Sequence, residues 1–585
     1  MRRRSIRVIV AVMALGYSQV YAAPTVVRSV DILGNTAYTT REILSWFSVH
    51  PGSVYSHSAL LHDLDAVAEN YKHQGYLSAR ALVSDSTRSA DSTSISLIVL
   101  ITEGRPTRVG TLEVYGAEQM GDHPTAGFEV HSGIPLDPDL LEEDLATLLV
   151  KYDHMGRPFA RCSVDSMQVR PGIEEDTLDI AIRVDEGPIV KIDEIRVQGN
   201  KETSPGVVLR ETRIAPGEVY DPDRVDAIRR RLTKLNIFQS VEDPELYLRG
   251  EKGGLLLRVL EGSSNTFDGI LGYVPAGASG TPGYLTGLAS VTMRNLFGTG
   301  RKFQFRWQKE DRNSQELNLR YLEPWVFGQP INVGGGFFQR QQDTSYIHRI
   351  LDARVEVMPA DDITAGLSVR TETVIPSIDS AYTSPIPASS VIAFGGDLQY
   401  DTRSDPVGPT SGARYHVDYS YGRKRSSASA VTGLGAGRFS LQKVILDVES
   451  YLPTFPRQVV ALGLHGYDVR GGSISESDMF RFGGATTLRG YRENEFLAAQ
   501  VAWLNSEYRF ILGRRSFFFL FVDAGYYTRP TDDVLLLPGV QSFKYGYGTG
   551  VRVNTAIGNI GVSFALGQGD TFSTAKIHIS VINEF

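Results

Sequence analysis

Two hydrophobic periodicities divide the chain near residue 265. Beyond it, apolar and polar residues alternate in short runs bounded by turn residues. Phe303-Gln304-Phe305-Arg306-Trp307-Gln308 alternates strictly, as do Leu317-Asn318-Leu319-Arg320-Tyr321 and Tyr415-His416-Val417-Asp418-Tyr419-Ser420-Tyr421. A period of two puts one apolar and one polar face on the same sheet. Sixteen such segments are readable, near 265–274, 284–293, 301–310, 315–322, 331–341, 350–358, 363–373 and 390–401, then near 412–422, 438–450, 458–469, 498–510, 516–526, 543–553, 558–567 and 575–585. The number is even, as a single-chain bacterial barrel requires. Sharing 323 residues among sixteen strands leaves about 20 each, room for a strand of about ten and its turn. A pair of soluble β-sandwiches would also alternate, but would not need aromatics throughout the run.

Before residue 265 the apolar spacing is helical. Leu60, Leu61, Leu64, Val67, Ala68 and Tyr71 form one stripe; Leu141, Leu145, Leu148 and Tyr152 form a second; Val225, Ile228, Leu232 and Leu235 form a third. The stripes belong to a repeat of about eighty residues. Gly52-Ser53-Val54-Tyr55 recurs as Gly133-Ile134-Pro135-Leu136 and Gly217-Glu218-Val219-Tyr220, each followed by a helix-start cue at Ser58, Asp137-Pro138 or Asp221-Pro222. Gly75 and Gly156 stop the first two helices. Opening strands end at Gly34-Asn35, Gly116 and Gly199-Asn200; closing strands end at Glu103-Gly104, Glu186-Gly187 and Glu261-Gly262. Thr39-Thr40-Arg41-Glu42 reads as a capping box for a short helix ahead of the striped one. Each repeat therefore reads strand, helix, helix, strand, strand. A small sheet of that kind leaves an edge that either accepts an extended chain or is blunted and binds nothing.

Targeting and charge narrow the class. Arg2, Arg3, Arg4 and Arg7 precede an apolar run from Val8 to Tyr17, and Val20-Tyr21-Ala22 offers a cleavage site, so residues 1–22 read as a secretory signal peptide. Ten apolar residues span only ~15 Å as a helix, half a bilayer core. No later run is long and apolar enough for a transmembrane helix, which leaves a closed barrel as the membrane-spanning solution. Residues 24–262 carry 25 Lys+Arg against 38 Asp+Glu, while residues 263–585 carry 30 against 29. An acidic half beside a neutral one lacks the basic face that nucleic acid needs. Cys162 is the only cysteine, so no disulfide framework or thiolate metal cluster is available. No Gly-x-Ser-x-Gly elbow, His-Glu-x-x-His or phosphate loop is present, so the chain reads as neither a hydrolase nor a nucleotide-driven machine, and no cofactor is implied.

The segment between the eleventh and twelfth strand candidates, 470–497, contains Arg481-Phe482-Gly483-Gly484-Ala485-Thr486-Thr487-Leu488-Arg489-Gly490-Tyr491. This resembles the Gly-Gly-x-x-x-Val/Leu-Arg-Gly-Phe/Tyr motif of the BamA/TamA outer-membrane assembly superfamily, where it lies on an extracellular loop folded back into the barrel. Phe521-Val522-Asp523-Ala524-Gly525 resembles the family's Phe-x-Asp-x-Gly strand motif. Asn295-Leu296-Phe297-Gly298-Thr299-Gly300 and Asp401-Thr402-Arg403-Ser404-Asp405-Pro406 resemble further barrel segments, the three repeats resemble POTRA domains, and Phe585 ends the chain as the family's last strand usually ends. The three-repeat layout is TamA-like. The resemblance implies an α+β run of POTRA repeats (23–104, 105–187, 188–262) followed by an all-β, sixteen-stranded antiparallel transmembrane barrel (263–585), in the outer membrane with the repeats in the periplasm. It also implies a loop lock of Gly483, Gly484, Leu488, Arg489, Gly490 and Tyr491 against a wall of Phe521, Asp523 and Gly525. A guanidinium that forks onto a carboxylate is the favourable way to bury an arginine in a lumen, so Asp523 is the expected partner of Arg489. Gly546, Gly548 and Gly550 share one strand face, leaving room for that loop or marking a kink.

Closing a barrel pairs its first and last strands. The first contains Phe267, Gly269 and Gly272, and its glycines weaken it; the last carries Ile579, Val581 and Phe585, with Asn583 where an aromatic is frequent. That lateral seam, opened, would expose backbone groups in lipid, and a client strand would satisfy them by β-augmentation. The function implied is insertion of other outer-membrane proteins. Its partners would be unfolded outer-membrane or autotransporter-like clients, outer-membrane lipid, and an accessory subunit that spans the periplasm or is a lipoprotein. The alternatives are a polypeptide-secretion pore of the same superfamily and a passive porin, which would not need three repeats.

Overall fold

The computed structural model describes residues 24–121, 123–250, 252–262, 264–274, 283–309, 311–376, 378–379, 382–383, 386–427, 436–531, 538–555 and 558–582. The signal-peptide segment and Phe585 lie outside these residues. The chain divides into two compact units, one holding the first two repeats and one holding the third repeat with the barrel.

Each repeat packs amphipathic helices on a small sheet. In the first, Val26–Leu33 runs parallel to the central strand Ser94–Thr102, which pairs antiparallel with Arg80–Arg88. In the second, Thr107–Tyr115, Asp176–Asp185 and Arg161–Arg170 repeat that order. The striped helices His57–Lys72, Pro138–His154 and Pro222–Lys234 bury Leu64, Val67 and Tyr71, then Leu141, Leu148 and Tyr152, then Val225, Ile228 and Leu232. The capping box forms at Thr39 and Glu42. The first striped helix is capped by Ser56, not Ser58: Ser56 Oγ accepts from Ala59 N at 3.3 Å. The second repeat also departs from the expected pattern. Among the described residues a single turn, Glu118–Met120, stands in place of a first α-helix.

The Glu-Gly landmark acquires a physical meaning. Glu103 accepts from Thr36 N at 2.6 Å, Ala37 N at 2.9 Å and the Tyr71 hydroxyl at 2.8 Å. Glu186 accepts from Gln119 N at 2.7 Å and the Tyr152 hydroxyl at 3.0 Å, and Glu261 accepts from Lys201 N at 2.9 Å and Thr203 N at 2.6 Å. In every copy the closing carboxylate thus satisfies backbone donors of the turn after the opening strand, donors that would otherwise lack a partner. The stop residues also accept backbone bonds, both within the first unit. Thr107 N donates to Gly75 O and Val190 N to Gly156 O, both at 2.8 Å. Both glycines have positive φ, and a Cβ would lie 2.5 Å from Thr107 O at Gly75 and 2.4 Å from Val219 at Gly156. The third helix uses Asn236 at the same place, with φ +55°, and its side chain receives Arg515 Nη2 from the barrel at 2.9 Å.

Sixteen strands pair in sequence order, from Asn265–Val274 to Lys576–Ile582, at the sixteen places the alternation marks. Every ladder between neighbours is antiparallel. The first strand comes back against the fifteenth, so the sheet rolls into a barrel, yet among the described residues no ladder joins the first strand to the sixteenth. Alternation sorts the two faces. Leu351, Val355, Leu367, Phe394, Tyr419 and Leu446 stand exposed outside, while Arg340, Glu372, Asp397, Lys424 and Arg509 are buried inside. An apolar outside around a polar inside is the arrangement lipid demands. The thirteenth strand (Ser516–Arg529) breaks it: Phe518, Leu520 and Val522 face outward, and Phe517, Phe519 and Phe521 are buried inward.

The third repeat grips the turns at one end of the barrel. Asp361, between the sixth and seventh strands, takes Arg231 at 2.7 Å and Arg213 at 3.2 Å. Lys234 Nζ reaches Asp362 at 2.6 Å and Asp401 O at 2.7 Å, and Trp325 Nε1 donates to Glu211 at 2.7 Å. Ser204 N donates to Gly298 O at 2.8 Å, and Asn295 Nδ2 to Thr203 Oγ1 at 2.9 Å. Glu211, Arg213, Arg231, Lys234 and Asp361 border a polar cavity of ≈ 850 Å³, lined also by Arg306, Arg354 and Arg414.

Candidate functional site

The long segment between the eleventh strand (Gln458–Gly471) and the twelfth (Gln500–Gly513) folds back as a short hairpin, Phe480–Phe482 against Phe496–Ala498. Apolar packing holds its stem: Phe482 and Leu488 are wholly buried in a cluster with Tyr491, Ala498, Val501, Trp503 and Tyr527. Phe482 meets Tyr527 at 5.1 Å between ring centroids, and Tyr491 meets Phe496 at 5.0 Å. Gly483 and Gly484 have φ of +107° and +104°, which reverses the chain; Thr487 Oγ1 accepts from Gly483 N at 2.8 Å and closes the turn.

Arg489 is the centre of the site. Its Nε donates to Asp523 Oδ2 and its Nη2 to Asp523 Oδ1, both at 2.7 Å, and its backbone N donates to Asp523 Oδ2 at 3.0 Å. The third arm, Nη1, reaches Glu507 Oε1 at 2.6 Å, and the guanidinium lies 3.7 Å from the centroid of the Phe521 ring. Arg489 is 6% exposed and Asp523 0%. A fork onto one carboxylate, a bond to a second and an aromatic face beneath are what a buried guanidinium requires. Glu507 in turn takes Arg509 at 2.8 Å, and Arg509 lies 4.6 Å from the Phe517 ring. The inward phenylalanines of the thirteenth strand are thus faces for arginines.

Glycines let the loop reach the wall. A Cβ on Gly546 would fall 1.9 Å from Arg489 O, and one on Gly490 2.6 Å from Gly567 N. Gly548 and Gly550 clear the Phe521 and Phe519 rings instead. One glycine face therefore serves both the loop and the aromatic stripe. Gly525 lies beside Trp503 and Leu488. The Tyr491 hydroxyl donates to Tyr545 O at 3.0 Å and accepts from Gln568 N at 3.1 Å. Gly490 N donates to His578 Nε2 in the sixteenth strand at 3.2 Å.

The lock residues and their wall therefore come together. The seam residues do not form a shared ladder among the described residues. Phe267 and Ile579 stand 68% and 58% exposed, Gly269 and Gly272 pair with Ala289 and Thr286, and Val581 pairs with Ile560. Three contributors escaped sequence reasoning. Glu507 is separated from Asp523 by one ladder step, since Asn505 pairs with Asp523 and Glu507 with Phe521; its only signal is a carboxylate on the inward phase of a strand. Lys424, 1% exposed in the ninth strand (Gly412–Ser426), donates to Asp478 and, at 2.9 Å, to Ser475 Oγ, pinning the loop at a second place. His578 is the third.

The Omp85 superfamily domain model matches residues 295–581, and the POTRA model, surface antigen variable number repeat, matches 25–104 and 190–262. Outer membrane protein assembly factor BamA of Neisseria meningitidis serogroup B is 24% identical over 372 residues, 60% of this chain and 44% of that protein. The BamA of Neorickettsia risticii is 24% identical over 338 residues, 55% of this chain and 43% of that protein. The matches thus span less than half the length of these relatives. Among solved structures, BamA from Haemophilus ducreyi lacking POTRA domains 1–3 aligns with 81% of this chain and 98% of its own at 14% identity and a TM-score of 0.48. CdiB from Acinetobacter baumannii aligns with 96% and 90% at 11% identity and a TM-score of 0.44. Family models for both halves match, and the repeats and sixteen strands are in place: the chain belongs to the Omp85 superfamily, an outer-membrane barrel preceded by periplasmic POTRA repeats.

Proposed function

We propose that this protein inserts other β-barrel proteins into the outer membrane, taking unfolded clients from the periplasm at its repeats and templating their strands at the first and sixteenth strands of its own barrel. The observation that carries the reading is the asymmetry of the barrel's joins. Neighbouring strands share ladders, three of them with a register shift, whereas the two end strands share none among the described residues, and the sixteenth is held from inside by the loop. An edge of that kind in lipid leaves donors and acceptors costly to expose, and an incoming strand satisfies them. The exposed outer strands of the repeat sheets, Arg80–Arg88 and Arg161–Arg170, offer clients the same chemistry in water. Outer-membrane proteomics after depletion tests the reading. A fall in many barrel proteins supports insertion; loss of a single exported polypeptide, with barrels unchanged, would establish the secretion-pore alternative instead.

A further inference from the structure

The side chain of His578, in the sixteenth strand, bonds the locked loop. Its Nε2 accepts the Gly490 backbone N–H at 3.2 Å, in a buried position one residue from Arg489. Accepting at Nε2 requires the neutral ring with its proton on Nδ1, the tautomer this network selects. Nδ1 is the nitrogen 3.9 Å from Glu493 Oε1 in the same loop. The strand's outward neighbours Ile577 and Ile579 are exposed, so the ring stands on the strand's inward face, towards the loop.

We infer that His578 is a positioning residue that couples the loop lock to the seam: the neutral ring hooks the last strand onto Gly490, and protonation of Nε2 releases that strand. The inference rests on the seam reading above. Its chemistry is one of donors and acceptors. A proton on Nε2 sets N–H against N–H, so the hydrogen bond is lost and repulsion replaces it. Arg489, Asp523 and Lys576 also act on the ring, and Glu493 faces its far nitrogen. Two of these are cations and two are carboxylates; Lys576 is itself paired with Asp570 at 2.6 Å, and Arg489 with Asp523 and Glu507. The ring's charge is therefore decided locally, beside groups already matched to one another. No other partner of Gly490 N is needed while the ring is neutral, and Gly490 cannot be exchanged, because a Cβ there would strike Gly567.

The test measures the position of the last strand in the full-length protein in lipid nanodiscs, with Cys162→Ser and spin labels on the outward positions Val522 and Ile579. Losing one neutral hydrogen bond raises the population of displaced strand by roughly fivefold. The unsubstituted ring should give a narrow distance distribution at pH 8 that broadens at pH 4.5. His578→Leu should be broad at both pH values. His578→Gln, which keeps an acceptor but cannot titrate in this range, should be narrow at both. A Leu variant as narrow as the parent, or a Gln variant that broadens with acid as the parent does, overturns the coupling. A disulfide joining the first and sixteenth strands separates the two readings. If the tethered protein still inserts clients, the seam reading fails. If the tether blocks insertion while both His578 variants follow the parent at every pH, the coupling alone fails.

Discussion

Replacing Arg489 by alanine should free the loop from the wall. The side chain makes two bonds to Asp523 and one to Glu507 over the Phe521 ring, with Asp523 fully buried. Truncation strands Asp523 without a cation, while Glu507 keeps Arg509. Breaking a buried pair from one side costs about 3–5 kcal/mol, because the remaining charge stays desolvated. At about 1.4 kcal/mol per decade, the ratio of docked to released loop should fall by a factor of a hundred to a few thousand. Hydrogen exchange reads this directly: the amides of Gly483, Arg489 and Gly490, each bonded in the docked loop, should lose protection by that factor. Arg489→Lys should fall between, since an ammonium keeps the charge and loses the fork. Arg489→Ala combined with Asp523→Ala should cost less than the sum of the two, because the stranded carboxylate is gone. Client insertion into liposomes should fall with loop docking. If Arg489→Ala leaves amide protection within about 0.5 kcal/mol of the parent, an amount typical of a neutral surface substitution, the pinned-loop argument is wrong.

Other outcomes follow from the same contacts. Gly546→Ala places a Cβ against Arg489 O and should destabilise the docked loop by about 1–3 kcal/mol, whereas Gly269→Ala, whose nearest atoms lie at 3.8 Å, should leave it unchanged; the temperature at which the barrel loses its compact gel mobility compares them. Lys424→Met should destabilise by about 3–5 kcal/mol by isolating Asp478, and Lys424→Met with Asp478→Leu should recover most of the loss, in the same gel assay. Glu261 carries a pH signature: burial pushes its pKa up, but bonds from Thr203, Glu202 and Lys201 prevail and hold it at about 2. A carboxylate lowered from an ordinary value near 4.5 stabilises the fold above that value and loses the effect as pH falls towards 2. Discounted for solvent screening, the contribution is about 1 kcal/mol. Exchange protection of the Lys201 and Thr203 amides should fall over that window in the parent and be flat in Glu261→Gln.

Much of the architecture was legible because period two is a local property. All sixteen strands lie where alternation marks them, and the Arg489–Asp523 pair follows from two short motifs. What escaped depends on register between distant segments. Glu507 meets Arg489 because the twelfth and thirteenth strands pair Asn505 with Asp523, and no spacing within one strand encodes that step. Lys424 and Asp478 are 54 residues apart, and a lysine on an alternating strand reads as a solvated charge until a loop covers it. The Glu-Gly landmarks were visible as punctuation, but their task of capping a turn some sixty residues earlier appears only once the sheet is folded. The helix missing from the second repeat shows the converse. A repeat read by analogy with its neighbours imports an element that its own residues, from Glu118 to Gly121, do not form.

The thirteenth strand, apolar on both faces from Phe517 to Val522, has a consequence for the protein's own biogenesis. Six uncharged, β-prone residues in a row form a segment prone to self-association in water, with charges only at its flanks, Arg514 and Arg515 before it and Asp523 after. Until lipid covers one side and arginines the other, this stretch is an aggregation hazard during the chain's passage across the periplasm. An escort for nascent outer-membrane polypeptides should therefore grip it first, and a machine proposed to fold others must itself arrive under guard.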